Sequence, residues 1–276
     1  MDNYRQTLAY LFKYGKGKRF LLMSLVILIP CAIVAFFFPL SKYIDMLANF
    51  STLSYRNWGA LWLDSFNTHW VAWIALALAL IIFVPIFAYV TTMITRHIRV
   101  GRFGFPNVFK SVNDNFFAAL SVVFFYLLMV ALFHFIYTLL FYMWMQIGNK
   151  TFGLVLAIIT FILVVTGLVY ALSTTMLWLP TMSFTGQYML PALTSAFYKS
   201  RKYQRYFFVP SLISAAIALA IAVVCHFLQN IWYVKWILTT LTYTTFVVFL
   251  ITFSLISYCE AESVKREDLT KIYFGR

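Results

Sequence analysis

The chain has 276 residues, of which 63% are hydrophobic and only 11% charged, and it carries a net charge of +13. Soluble domains carry about 25% charged residues, so this composition excludes an ordinary water-soluble fold. The polar surface is too small to cover the chain, and lipid is the solvent that accepts the excess. Six stretches lack every Asp, Glu, Lys and Arg: 20–40, 70–94, 116–144, 152–180, 207–228 and 236–258. Each exceeds the roughly 20 apolar residues that cross the hydrocarbon at 1.5 Å per residue. The sequence predicts an all-α fold, a polytopic membrane bundle of six transmembrane helices forming one domain over 1–276.

The chain opens on a basic segment holding Arg5, Lys13, Lys16, Lys18 and Arg19. Tyr4, Leu8, Leu11 and Phe12 share one face of a helix there. The stretch 20–40 is too long for the apolar core of a signal peptide, and Pro39, Lys42 and Tyr43 follow it instead of a small-residue cleavage site, so it reads as an uncleaved span. The loop 41–69 comes next. Its Tyr55, Trp58, Leu61, Trp62 and Phe66 recur at near-helical spacing, which predicts an interfacial helix with Arg56 and Asp64 turned to water. Pro30 and Pro85 stand inside the first two spans, where proline kinks a helix.

The segment 95–115 contains Arg96, Arg99, Arg102 and Lys110. Phe105, Val108, Phe109, Val112 and Phe116 form an apolar face opposite Asn107, Lys110, Ser111 and Asp114. In 181–206, Lys199, Arg201, Lys202 and Arg205 are interleaved with aromatic rings, while Leu190, Leu193 and Phe197 share a face. The sixth span is rich in Thr, read as hydroxyls that bond nearby carbonyls and join helices. The tail from 259 mixes acids with Lys265, Arg266, Lys271 and Arg276, and reads as a short solvated helix.

Seventeen of the 21 Lys and Arg fall in 1–19, 95–115, 181–206 and the tail. The positive-inside rule then places both termini in the cytoplasm and the protein in the cell membrane as a multi-pass chain. Seven of the eight tryptophans mark the opposite side, where amphipathic rings favour the interface. Three inner segments each carry an amphipathic helix that leads into a hairpin. The chain thus reads as three repeats of interfacial helix plus membrane hairpin, over approximately 1–94, 95–180 and 181–258, with a cytoplasmic tail 259–276.

The run ALTSAFYKSRKYQRYFFVPSLIS, with Ala196, Ser200, Arg201, Arg205 and Ser211 to Ser214, resembles the signature segment of a family of uncharacterised polytopic bacterial membrane proteins. That family is related to the membrane domain attached to some glycerophosphodiesterases. The resemblance implies the hairpin-with-helix arrangement and no catalytic residues. The soluble phosphodiesterase domain is absent from this chain, so its activity does not carry over.

Chemistry-bearing residues are sparse. All eight acids lie outside the six stretches, and Gly15-Lys16-Gly17-Lys18 lacks the rest of a phosphate-cradling loop. Cys31, Cys225 and Cys259 suggest neither a disulfide framework nor a zinc site. No catalytic constellation, metal or cofactor is expected. His134 and His226 are candidate intramembrane polar contacts, weighed as helix-to-helix hydrogen bonds against a ligand or metal pair. Lys199, Arg201, Lys202, Arg205, Arg96, Arg99 and Arg102 are candidate contacts for anionic lipid headgroups. The sequence predicts a non-enzymatic protein acting through lipid or protein-partner contacts at the cytoplasmic face, not nucleic acid. Its alternative is the membrane permease subunit of an exporter driven by a separate ATPase.

Overall fold

Every charge-free stretch is mostly helical in the computed structural model, which describes residues 2–13, 17–66, 70–101, 103–228 and 230–268. A short helix α1 (Asp2–Leu8) runs into a π-helical turn (Ala9–Lys13). Then come α2 (Lys18–Phe37), α3 (Lys42–Ala48), α4 (Trp58–Phe66), α5 (Trp70–Val100) and α6 (Val108–Met145). They are followed by α7 (Lys150–Thr175), α8 (Trp178–Thr185), α9 (Met189–Lys202), α10 (Gln204–Phe227) and α11 (Trp232–Ala261). No strand occurs among the described residues. Six helical units are long and apolar enough to cross a membrane, two of them built from consecutive helices: α2 with α3, and α7 with α8.

Local chemistry explains where helices break. Proline disfavours helical geometry in the residue before it, and Phe38, just before Pro39, takes φ −125° as α2 ends. Ser41 then donates to the Asp45 carboxylate at 2.9 Å over the first turn of α3. Pro180 has no N–H for the carbonyl of Met176 and its ring crowds that group, so the predicted span 152–180 divides into α7 and α8 at Met176 and Leu177. By contrast, α2, α5 and α10 run through Pro30, Pro85 and Pro210. Asn107 and Asn149 cap α6 and α7 by accepting from the Lys110 and Phe152 amides at 3.3 and 3.1 Å.

The six spans form a ring in which each packs against its chain neighbours, and α11 closes the ring against α2. That closure is hydrogen-bonded: Trp236 Nε1 donates to Ala32 O and the Tyr243 hydroxyl to Phe38 O, both at 2.9 Å. The half of α11 nearer the termini is buried from Ile251 to Cys259, and α11 also meets α5 and α8. Thr239, Thr240 and Thr242 spend their hydroxyls on carbonyls four residues back in the same helix.

The leading helices depart from the predicted pattern. The first exists but is tucked into the bundle: Tyr10 and Leu11 are fully buried, and the Tyr4 ring meets Phe249 edge-on at 5.6 Å. The second does not exist as a separate element, because α5 continues to Val100 and α6 starts at Val108, shrinking the predicted loop 95–115 to a few residues. Apolar Phe105 and Phe109 are exposed there while Ser111 is buried. The third is α9. Its inward stripe is made of small residues, Ala192, Ala196 and Ser200, which let it lie close to the bundle, with Leu190 and Phe197 outward.

The tail also differs from the solvated helix expected. After Ala261 the chain turns at Ser263 (φ 53°), and Arg266 and Asp268 become buried. They pair at 2.9 Å, and Arg266 reaches Gln6 Oε1 of α1 at 2.7 Å. Lys271 and Arg276 lie outside the described residues.

Candidate functional site

Polar side chains collect at both ends of the bundle. At the end opposite the termini, α3 is held on two sides. The Tyr43 hydroxyl is 2.6 Å from His134 Nδ1 of α6, and His134 Nε2 is 2.9 Å from Ser65 Oγ of α4. Ser65 also donates to Trp62 O at 2.7 Å. One tautomer satisfies the whole chain: Tyr43 donates to Nδ1, Nε2–H donates to Ser65, and Ser65 donates onward. Two residues along α3, Asp45 accepts from His226 Nδ1 of α10 at 2.7 Å and lies 3.4 Å from Lys235 Nζ of α11. Successive residues two apart on a helix point to opposite faces, so α3 is a wedge fixed from both sides. His134 and His226 therefore have separate partner sets and do not form one ligand pair. Of the predicted loop 41–69, the described residues 41–66 are packed, not a free interfacial layer: Leu61 is fully buried, Trp58 meets Phe135 at 4.9 Å, and Tyr55 donates to Asp64 at 2.7 Å. Burial and the Asp64 carboxylate push the Tyr55 phenol above its ordinary range.

The end carrying the termini holds a cleft of about 940 Å³ between α5, α6, α8 and the start of α9. Arg96, Arg99, Asn115 and Gln187 supply guanidinium and amide groups to its lining, the Ser121 hydroxyl is spent on Phe117 O at 2.7 Å, and Asp114 is its one acid among the described residues. Arg96 and Arg99 lie one helical turn apart in the last turn and a half of α5, where cations complement the partial negative charge of a helix C-terminus. Asn115 is held in place by donating to Thr92 Oγ1 at 2.8 Å. Phe117 and Ala118 give the cleft an apolar flank.

A ladder of charges and rings braces one wall. Arg99 donates to Phe184 O at 2.9 Å and lies over the Phe184 ring at 4.6 Å. Phe184 stacks on Tyr258 at 5.1 Å. Lys199 Nζ lies 5.5 Å from the Tyr258 ring and pairs with Glu262 at 2.9 Å. The candidate headgroup residues thus separate. Arg96 and Arg99 share the cleft. Lys199 is engaged in the ladder, and Arg201, Lys202 and Arg205 are exposed around the end of α9 and the start of α10. Arg102 lies outside the described residues.

Known proteins offer no counterpart. No family model, curated protein or solved structure matches the chain. Cys31, Cys225 and Cys259 are free and buried, and among the described residues no group of three or more His, Cys, Asp or Glu could hold a metal ion. Sequence reasoning missed Asp45 and Lys235, which looked like loop charges, and Asn115 and Gln187, which had no pattern. Asp45 and Lys235 flank the first and sixth spans, and only the ring closure between those spans makes them neighbours.

Proposed function

We propose that the protein is a non-enzymatic multi-pass membrane protein that binds anionic lipid headgroups in the cleft of Arg96 and Arg99, at the cytoplasmic end of the bundle. The observation that carries this reading is the pairing of two guanidinium groups, one turn apart, with side-chain amides in a large cleft beside an apolar flank. Such a lining offers several N–H donors against one carboxylate, which suits an anion. Positive-inside topology supports the orientation, because it sets this end against the anionic inner leaflet. The exposed Arg201, Lys202 and Arg205 act as a second, diffuse basic surface, and the packed ladder at Lys199 and Glu262 is a surface a membrane or cytoplasmic protein partner could also meet.

The test is lipid-dependent stabilisation of the purified protein. Anionic phospholipid should raise its unfolding temperature more than zwitterionic lipid does. Near an anionic surface each cation contributes about 1 kcal/mol, so Arg201→Gln, Lys202→Gln and Arg205→Gln should each lower the preference slightly and in a graded way. Arg96→Gln with Arg99→Gln should abolish most of it. Equal stabilisation of wild type and the Arg96, Arg99 double variant would reject the cleft as the site.

A further inference from the structure

A hollow of about 190 Å³ is walled by Phe87 of α5, Val122, Val123 and Tyr126 of α6, Leu179 of α8 and Leu250 of α11. The two linings abut along the same helices. Ser121 borders the cleft and Val122 the hollow, and Met182 borders the cleft while Leu179, one turn earlier, borders the hollow. Direction follows from the ring. The helices α5 and α8 run toward the end carrying the termini, and α6 runs away from it. On α5 and α8 the hollow takes the earlier residues, and on α6 the later ones. All three helices therefore set the hollow deeper in the bundle than the cleft.

Three hydroxyls line the hollow, those of Tyr126, Ser211 and Ser254. Ser254 spends its hydroxyl on Ile251 O at 2.9 Å, and Tyr126 directs its own to Thr175 O at 3.4 Å. Apart from the Ser211 hydroxyl, what remains is ring and aliphatic surface from α5, α6, α7, α8 and α11. A bare headgroup or a free phosphate gains nothing from such a space, whereas a hydrocarbon chain fills it. We infer that cleft and hollow form one site for an anionic amphiphile, with a phosphate-like head at Arg96 and Arg99 and a single hydrocarbon chain inserted into the bundle between α5, α6, α8 and α11. This rests on the reading of the cleft as an anion site, and it adds the ligand's second half and its direction.

The experiment uses the full chain in neutral-lipid nanodiscs and a dodecyl phosphate bearing a photoactivated diazirine at the chain end. Adducts are expected on hollow residues such as Phe87, Val123 and Leu250. Adducts only on outward-facing Leu120, Phe124 and Leu128 would overturn the inserted chain. Binding affinities give the second arm, with inorganic phosphate, butyl phosphate, dodecyl phosphate and the neutral dodecyl maltoside as probes. Dodecyl phosphate should bind at least tenfold more tightly than inorganic phosphate. The filling variants Leu250→Trp and Val123→Trp should lower its affinity to that of butyl phosphate without weakening butyl phosphate. Full dodecyl phosphate affinity in a folded filling variant would reject the hollow while leaving the cleft reading intact. Loss of neither alkyl phosphate in the Arg96→Gln, Arg99→Gln double variant would instead remove the cleft reading itself. Dodecyl maltoside competing as well as dodecyl phosphate would reject the anionic head.

Discussion

Gly153, in the first turn of α7, has no room for a methyl group. A Cβ there would stand 2.6 Å from Trp144 O of α6 and 3.1 Å from the Phe50 ring. The neighbour is backbone, which cannot swing aside, so the whole α6–α7 turn would have to move. Overpacking of this kind costs about 1–3 kcal/mol, and Gly153→Ala should lower the unfolding temperature in detergent while Gly148→Ala, with open space around it, should not. A second residue-scale contrast lies in the cleft. Arg99 uses both the planarity and the fork of its guanidinium on Phe184, and lysine reproduces neither. Arg99→Lys should therefore weaken anionic-lipid stabilisation strongly, and Arg96→Lys only slightly. An equal response at both positions would mean that charge alone matters. Nothing in the sequence marks Gly153 or distinguishes Arg99 from Arg96, because both properties depend on which carbonyl or ring the fold brings near.

At the scale of elements, α3 and the chain termini are each held by a few polar contacts. Asp45 receives His226 and Lys235, and removing one partner of charged hydrogen bonds costs about 1.5–3 kcal/mol. Asp45→Ala should therefore speed amide hydrogen exchange in α3 specifically, with α7 unchanged; unaltered exchange in α3 would show that apolar packing alone fixes it. The terminal segments are joined by Arg266, Asp268 and Gln6, and the Tyr10 hydroxyl, 2.9 Å from His97 Nδ1, ties the first of them to α5. Burial raises the Tyr10 phenol above its ordinary value despite the nearby Arg19. A raised pKa adds stability in full below the unfolded value of about 10 and loses it as pH climbs from there toward the folded value. Protection of residues 2–13 should decline above that pH, and Tyr10→Phe should flatten the decline. Elements were the most legible scale. Absence of charge located all six spans, and Pro39 accounts for the end of α2. The helix before the third span was misread because Val108 and Phe109 are exposed in the first turn of a continuous α6, as they would be on a membrane surface. Periodicity reports which side is apolar and says nothing about whether a helix stops.

For the whole molecule, orientation is the decisive measurement. The three native cysteines are buried, so single reporter cysteines read against a quiet background. Tyr198 is 78% exposed on α9, and Gln146 is exposed at the turn between α6 and α7. In intact cells Gln146→Cys should react with an impermeant thiol reagent and Tyr198→Cys only with a permeant one. The reverse pattern would turn the cleft toward the outer leaflet and end the inner-lipid reading. The candidate site was only half legible at this scale: the cationic residues were visible, but the cleft needs α5, α6 and α8 to converge, and that is a property of the ring.

The ring also has an order of assembly. Each span meets its predecessor as soon as it emerges, so five of the six contacts join neighbours in the chain and form with short loops. The sixth, between α2 and α11, joins Ala32 to Trp236 and Phe38 to Tyr243 across about two hundred residues. During synthesis at roughly 5–20 residues per second, the flank of α2 therefore stays open to lipid for about ten seconds or more before its partner exists. A nascent chain stalled before 232 should be an unclosed arc of five spans, vulnerable to membrane quality-control proteases, and release of the stall should restore resistance in one step as the arc becomes a ring.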